Sequence, residues 1–251
     1  MPLDPENQTT NYLLGYLYTG HKRFSEALSH LDRALERNPN FAPGLAAKGL
    51  VQSRLADLES ENEMRRNHLR AQAEANLTRA LEMDSRLLDA DGESYFGTLG
   101  GVYRRQGRWE DAARAYERAV EVTPNNSYPV GNLATVYKRL GRETEAQDIY
   151  RKVIRLAAEA LEDRPTDIWK RFDLAQALLV IGEPERGLQE YRRGFDYLYA
   201  PGPLESALGG LRALQAMPNP PEGLAEGIAL LEAEIARWQR RESAQSDAAG
   251  H

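Results

Sequence analysis

One spacing constrains this chain more than any other feature. Leu99, Gly100, Tyr103, Gly107, Ala112 and Tyr116 return one period later as Leu133, Ala134, Tyr137, Gly141, Ala146 and Tyr150. A fixed period of this size marks a repeat architecture, in which each unit buries its apolar face only against its neighbours. The same places are held upstream by Leu14, Gly15, Tyr18, Ala27, Leu31, Ala34 and Pro39. Downstream, more weakly, they are held by Leu174, Ala175, Leu178, Gly182, Gly187, Tyr191 and Gly194. Repeats are therefore expected at 8–41, 93–126, 127–167 and 168–201. A stretched copy fills 42–87, where Gly49, Ala73, Leu77, Ala80 and Leu81 keep the pattern.

These places suit pairs of antiparallel helices. The small residue after the first Leu allows close helix approach, the Tyr and Leu fill the gap, and a small residue in the second helix admits the next unit. Gly and Pro then end each helix, one by tolerating a left-handed turn and the other by lacking a donor. The stretched copy contains no Gly or Pro between 54 and 71, so both its helices extend by about 6 residues, roughly 9 Å, and turn near Glu59 to Asn62. In the 127–167 copy the run LAAEALEDRPTD predicts a longer second helix that ends before Pro165. Residues 203–242, with the periodic EGLAEGIALLEAEIARWQRRE, read as helices that cover the last repeat. Residues 243–251 are expected to be disordered. At the other end, residues 1–7 read either as the remnant of a preceding repeat or as an N-terminal cap.

Composition narrows the function. A formal net charge of -6 argues against a surface built to coat nucleic acid. No signal-like or membrane-length apolar run occurs, so no membrane insertion is expected, and with no cysteine a cytoplasmic location fits. The four histidines, His21, His30, His68 and His251, have no metal-ligand spacing, and no phosphate loop or nucleophile elbow appears. DADGE at 89–93 is not a calcium loop, because the register set by Gly92 puts Leu87 and Thr98 at the first and last ligand places. The expectation is a protein with no catalytic residues, no metal and no cofactor.

The 93–126 copy, with Phe96, Leu99, Gly100, Tyr103, Gly107, Ala112, Tyr116, Ala119 and Pro124 in place, resembles the tetratricopeptide repeat family. The resemblance covers roughly residues 3–200. It implies an all-α, right-handed superhelical solenoid of about five repeats plus C-terminal capping helices, acting as a protein-protein interaction module. In that family the first helices line a concave groove that holds a peptide or partner helix. Matching places put Tyr12, Tyr16, Ala46, Leu50, Arg54, Gly97, Gly101, Arg104 and Arg105 in that groove, followed by Tyr128, Gly131, Thr135, Lys138, Arg139, Trp169, Phe172 and Gln176. Glycine floor, aromatic ends and central cations together would suit an acidic segment carrying bulky apolar residues. The cations would equally serve to complement helix dipoles. Co-chaperone members clamp terminal carboxylates with Lys and Asn. Those places hold Tyr12 and Tyr16, Ala46 and Leu50, or Gly97 and Gly101 here, so no chaperone-tail binding is expected. The alternative role is a scaffold or self-association segment of a larger protein.

Overall fold

The computed structural model describes residues 7–217 and 220–249, with side chains in the last stretch described as far as 241. Among the described residues there are helices and connections and no strands. The chain divides into one compact unit ending at Pro124 and another beginning at Asn125. The first unit holds three helical hairpins: α1 (Gln8–Gly20) with α2 (Phe24–Arg37), α3 (Ala42–Leu58) with α4 (Glu63–Met83), and α5 (Tyr95–Arg105) with α6 (Trp109–Val122). The second holds α7 (Ser127–Arg139) with α8 (Glu143–Asp163), α9 (Ile168–Val180) with α10 (Pro184–Phe195), and α11 (Gly202–Gln215) with α12 (Leu224–Ala249).

The ends of these helices follow from local chemistry. Four first helices, α1, α5, α7 and α9, start on side-chain caps: Asn7 accepts from the Thr10 N–H at 3.0 Å, and Asp167 accepts from the Lys170 N–H at 3.2 Å. Three second helices, α2, α6 and α8, start instead with a clasp that repeats. Arg23, Arg108 and Arg142 precede α2, α6 and α8, pair with Glu26, Asp111 and Glu145 in the first turn, and stack on Tyr18, Tyr103 and Tyr137. The guanidinium-to-ring distances are 4.6, 4.4 and 3.8 Å.

Where a short turn joins the two helices of a hairpin, one residue of the turn is left-handed. Gly107, Gly141 and Gly182 supply it at φ +75, +73 and +88°. In the first repeat Lys22 occupies that place at φ 58°. A Cβ there costs about 1 kcal/mol, so Lys22→Gly is expected to stabilise the first unit by about that amount, read as a higher urea midpoint at unchanged slope. No change in midpoint would mean that the Lys22 side chain offsets its own strain.

Packing in each unit is layered between hairpins. In the first unit Phe24, Ala27, Leu31, Ala47 and Val51 form one buried cluster, and Leu45, Ala46, Ala73, Leu77, Tyr95 and Leu99 belong to the next. The close approach of α3 and α4 needs Gly49, since a Cβ there would come within 2.7 Å of Leu77 Cγ. In the second unit Ile168, Phe172, Leu179 and Tyr191 join Leu204, Leu211, Leu214, Leu224 and Leu231 in one core. Helix α11 packs on α9 while α12 packs on α10 and α11, so residues 202–249 add a further hairpin to the row.

Helix α12 continues to Ala249, through most of the segment expected to be disordered. The run SAQSDAA has neither Gly nor Pro, so nothing in it stops a helix already propagating from 224. Residues 250–251 lie outside the described residues, as do residues 1–6, on which the reading of a preceding repeat rests.

Candidate partner-binding site

The first helices form a row within each unit: α1 packs on α3 and α3 on α5 in the first, and α7 on α9 and α9 on α11 in the second. The two rows differ in what covers them.

In the first unit the row is covered by the chain itself. The connection at 84–94 is much longer than its counterparts at 38–41, 123–126 and 164–167. It folds into a tight loop, with Asp89 N–H donating to the Glu93 carbonyl at 2.9 Å and an isolated bridge from Leu88 to Ser94. The loop lies on α1, where the Ala90 N–H donates to the Tyr16 hydroxyl at 3.2 Å. Leu87 packs against the buried cluster that contains Leu45, Ala46 and Tyr95.

This loop changes the reading of the expected groove residues. Ala46, Gly97 and Gly101 are buried and Leu50 is half-buried, so they do not form an open floor. Tyr12 is also half-buried, edge-on to Phe41 with ring centroids 5.4 Å apart. Tyr95, beneath the loop, is 1% exposed and its hydroxyl has no hydrogen-bond partner. Burial pushes the Tyr95 hydroxyl well up, and the fields of Tyr12, Asp89 and Tyr16 add to this. Burial also raises the Asp89 carboxyl, while N–H bonds from Glu93 and Asp91 and the Arg54 charge hold it down. Arg54 is exposed. Arg104 is partly buried, and Arg105 is already paired, with its Nε 2.7 Å from Asp57 Oδ1.

The second row is open where the first is filled. Tyr128 and Trp169, each the second residue of its first helix, are 43% and 46% exposed. A Cβ built on Gly131 would find only Val153 Cγ2, at 4.0 Å, so this stretch of α7 presents a clear floor. Beside it Thr135 lies 3.0 Å from the Tyr150 hydroxyl and bonds the Gly131 carbonyl at 3.0 Å. Under the two aromatics, Lys170 Nζ donates to Ser127 Oγ at 2.8 Å, and the Ser127 hydroxyl donates to Asp173 Oδ2 at 2.5 Å. Burial raises the Asp173 carboxyl against the opposing pull of Ser127 and Lys170. This network ties α7 to α9.

Three expected contacts in the second unit need correction. Phe172 is 5% exposed and packs edge-on to Tyr191 and Phe195, with centroids 5.1 and 6.3 Å away, against Gly194. It is a core residue, because Gly194 leaves a hollow in α10 that the ring fills. Gln176 is covered by α11, where its Oε1 would lie 2.5 Å from a Cβ on Gly210. Lys138 is engaged by Glu143 at 2.8 Å and its side chain is only 8% exposed. Arg139 is exposed in the last turn of α7, where a cation complements the helix dipole. Among the described residues no three His, Cys, Asp or Glu converge as metal ligands, and no helix is long and apolar enough to cross a membrane.

Sequence reasoning missed Leu87, Asp89 and Ala90 as occupants of the first row. The signal available was the length of the 84–94 connection, which departs from the period.

Tetratricopeptide repeat profiles match residues 9–41, 64–125 and 98–160. No curated protein matches the chain. Among solved structures, PilF of Pseudomonas aeruginosa is similar over 97% of this chain and 97% of its own, at 20% identity and a TM-score of 0.56. A thermophilic tetratricopeptide repeat protein of Thermus thermophilus is similar over 83% of this chain and 100% of its own, at 22% identity and a TM-score of 0.56. At these identities the likeness is one of fold.

Proposed function

Since the chain belongs to the tetratricopeptide repeat family, we propose that it is a protein-interaction module that holds a partner segment on its rows of first helices. The observation that carries the reading is the pair Tyr128 and Trp169, half-exposed at equivalent places on adjacent helices beside the clear floor at Gly131. Aromatic side chains on a rigid helix supply anchoring area at small entropic cost, which is why they dominate binding energies at protein interfaces. The second unit therefore favours bulky apolar residues in its partner. Acid recognition has less support there, because Lys138 and Lys170 are already bonded to Glu143 and Ser127.

The test is a selection of displayed random peptides on the immobilised chain, followed by titration against Tyr128→Ala/Trp169→Ala. Peptides rich in bulky apolar residues are expected, with affinity lowered about thirtyfold in the variant, the effect of losing about 2 kcal/mol at a binding hot spot. Peptides that bind the variant as well as the parent would remove this row from the reading.

A self-association role is favoured by one observation. Leu13 and Leu17, one turn apart on α1, are 59% and 54% exposed. Sedimentation of Leu13→Glu/Leu17→Glu beside the parent decides it: an equally monomeric parent would end that alternative.

A further inference from the structure

Resting on the reading of the second-unit row as a partner site, we propose that this row takes a proline-rich segment in the polyproline II conformation, with prolines three residues apart seated on Tyr128 and Trp169. The apolar residues that the row favours are then proline rings. Tyr128 and Trp169 hold equivalent places on α7 and α9, and these two helices pack directly on each other. Their spacing is fixed from below, because Ser127 donates to Asp173 at 2.5 Å and accepts from Lys170 at 2.8 Å. Packed helices lie about 8–10 Å apart. A polyproline II helix has three residues per turn and rises about 3.1 Å at each, so every third residue returns to the same side after about 9 Å. A strand returns a side chain to one face after about 6.6 or about 13 Å, and neither step matches.

Hydrogen bonding separates the polyproline segment from a helical one, whose side chains return after about 10.5 Å, seven residues along. Both rings carry donors that the chain leaves open. The bonds of Tyr128 to Asn126 and Asn132 run through its backbone, and among the described residues neither its hydroxyl nor the Trp169 indole N–H has a hydrogen-bond partner. The carbonyls of a helix are already bonded within it. Those of a polyproline II segment are fully solvated and open to such donors, and each proline brings no N–H that would be left unpaired. The charge distribution is thus complementary, partial positive on the row and partial negative on the segment. The clear floor at Gly131, one turn along α7 from Tyr128, lets the segment's backbone come close. A segment already held in one conformation also loses little entropy on docking, which suits two rings held at a fixed distance.

The experiment titrates the full chain with a synthetic peptide of about twelve residues, proline at every third place and alanine between, followed by amide and indole shifts of the protein. The control has the same length and composition with its prolines at every second place, so that no two lie three apart. Saturable binding that moves the Trp169 indole resonance, and is at least fivefold weaker for the control, is the expected result. Equal binding of the two peptides overturns the proposal, and this comparison needs no variant. Tyr128→Phe/Trp169→Phe keeps both rings and removes both donors. It should weaken the every-third peptide about tenfold, and unchanged affinity overturns the proposal. Full binding retained by Tyr128→Ala/Trp169→Ala places the peptide elsewhere and overturns it too. No binding of the proline peptide, while peptides selected on the chain still depend on Tyr128 and Trp169, overturns this proposal and leaves the reading of the row in place. No binding of either kind overturns both.

Discussion

Replacing Phe172 by Ala is expected to lower the stability of the second unit by about 3–5 kcal/mol, the range for truncating a buried aromatic ring. The ring is 5% exposed and fills the space above Gly194 between Tyr191 and Phe195, so its loss leaves a cavity in the cluster that joins α9, α10, α11 and α12. Because repeat stacks are held by neighbour contacts, the loss should be concentrated in the second unit, with hydrogen exchange in α1 to α4 little altered. Urea unfolding followed by circular dichroism, with exchange resolved by segment, measures both. A cost under about 1 kcal/mol, the range for substitutions at exposed places, would return Phe172 to the open row that its repeat position implies.

The second large effect is expected at Glu190. Its carboxylate meets Arg171 at 2.6 Å with both side chains 11% exposed, and it also takes Arg193 at 2.5 Å. Glu190→Ala leaves the Arg171 guanidinium, whose Nε already has no partner, without a counter-charge, held by the Pro165 carbonyl at 2.6 Å and the Tyr197 ring at 5.8 Å. An uncompensated buried charge of this kind costs about 3 kcal/mol or more. Replacing both partners, Glu190→Leu with Arg171→Met, should recover most of that loss, since a desolvated pair is worth little against apolar packing. Chemical denaturation of the single and double variants forms the test. A double variant as unstable as Glu190→Ala would show that the pair organises this unit beyond its own charge balance.

The fate of particular residues shows how far the sequence reaches. The clasps of Arg23, Arg108 and Arg142 with acids three residues on, the turn glycines at 107, 141 and 182, and the odd Lys22 among them all depend on neighbours within a few positions. So does the pairing of Lys138 with Glu143. The pairing of Arg105 with Asp57 brings together helices α5 and α3, and no local spacing announces it. Phe172 was misplaced for a similar reason. Its own position in the repeat points to the open face, and only the absence of a side chain at Gly194 on the partner helix makes room for it in the core.

What the sequence by itself determined is the repeating hairpin and its helix ends, because a fixed period records the same short-range contacts over and over. What only the tertiary structure decided is which first-helix row is open. The linker 84–94 stands outside the period, and the bond from Ala90 to Tyr16 spans most of the first unit. Long-range contacts of that kind depend on where several helices have already packed, and a single chain carries no local record of them. The same holds for Tyr128 and Trp169, which the packing of the described residues leaves 43% and 46% exposed.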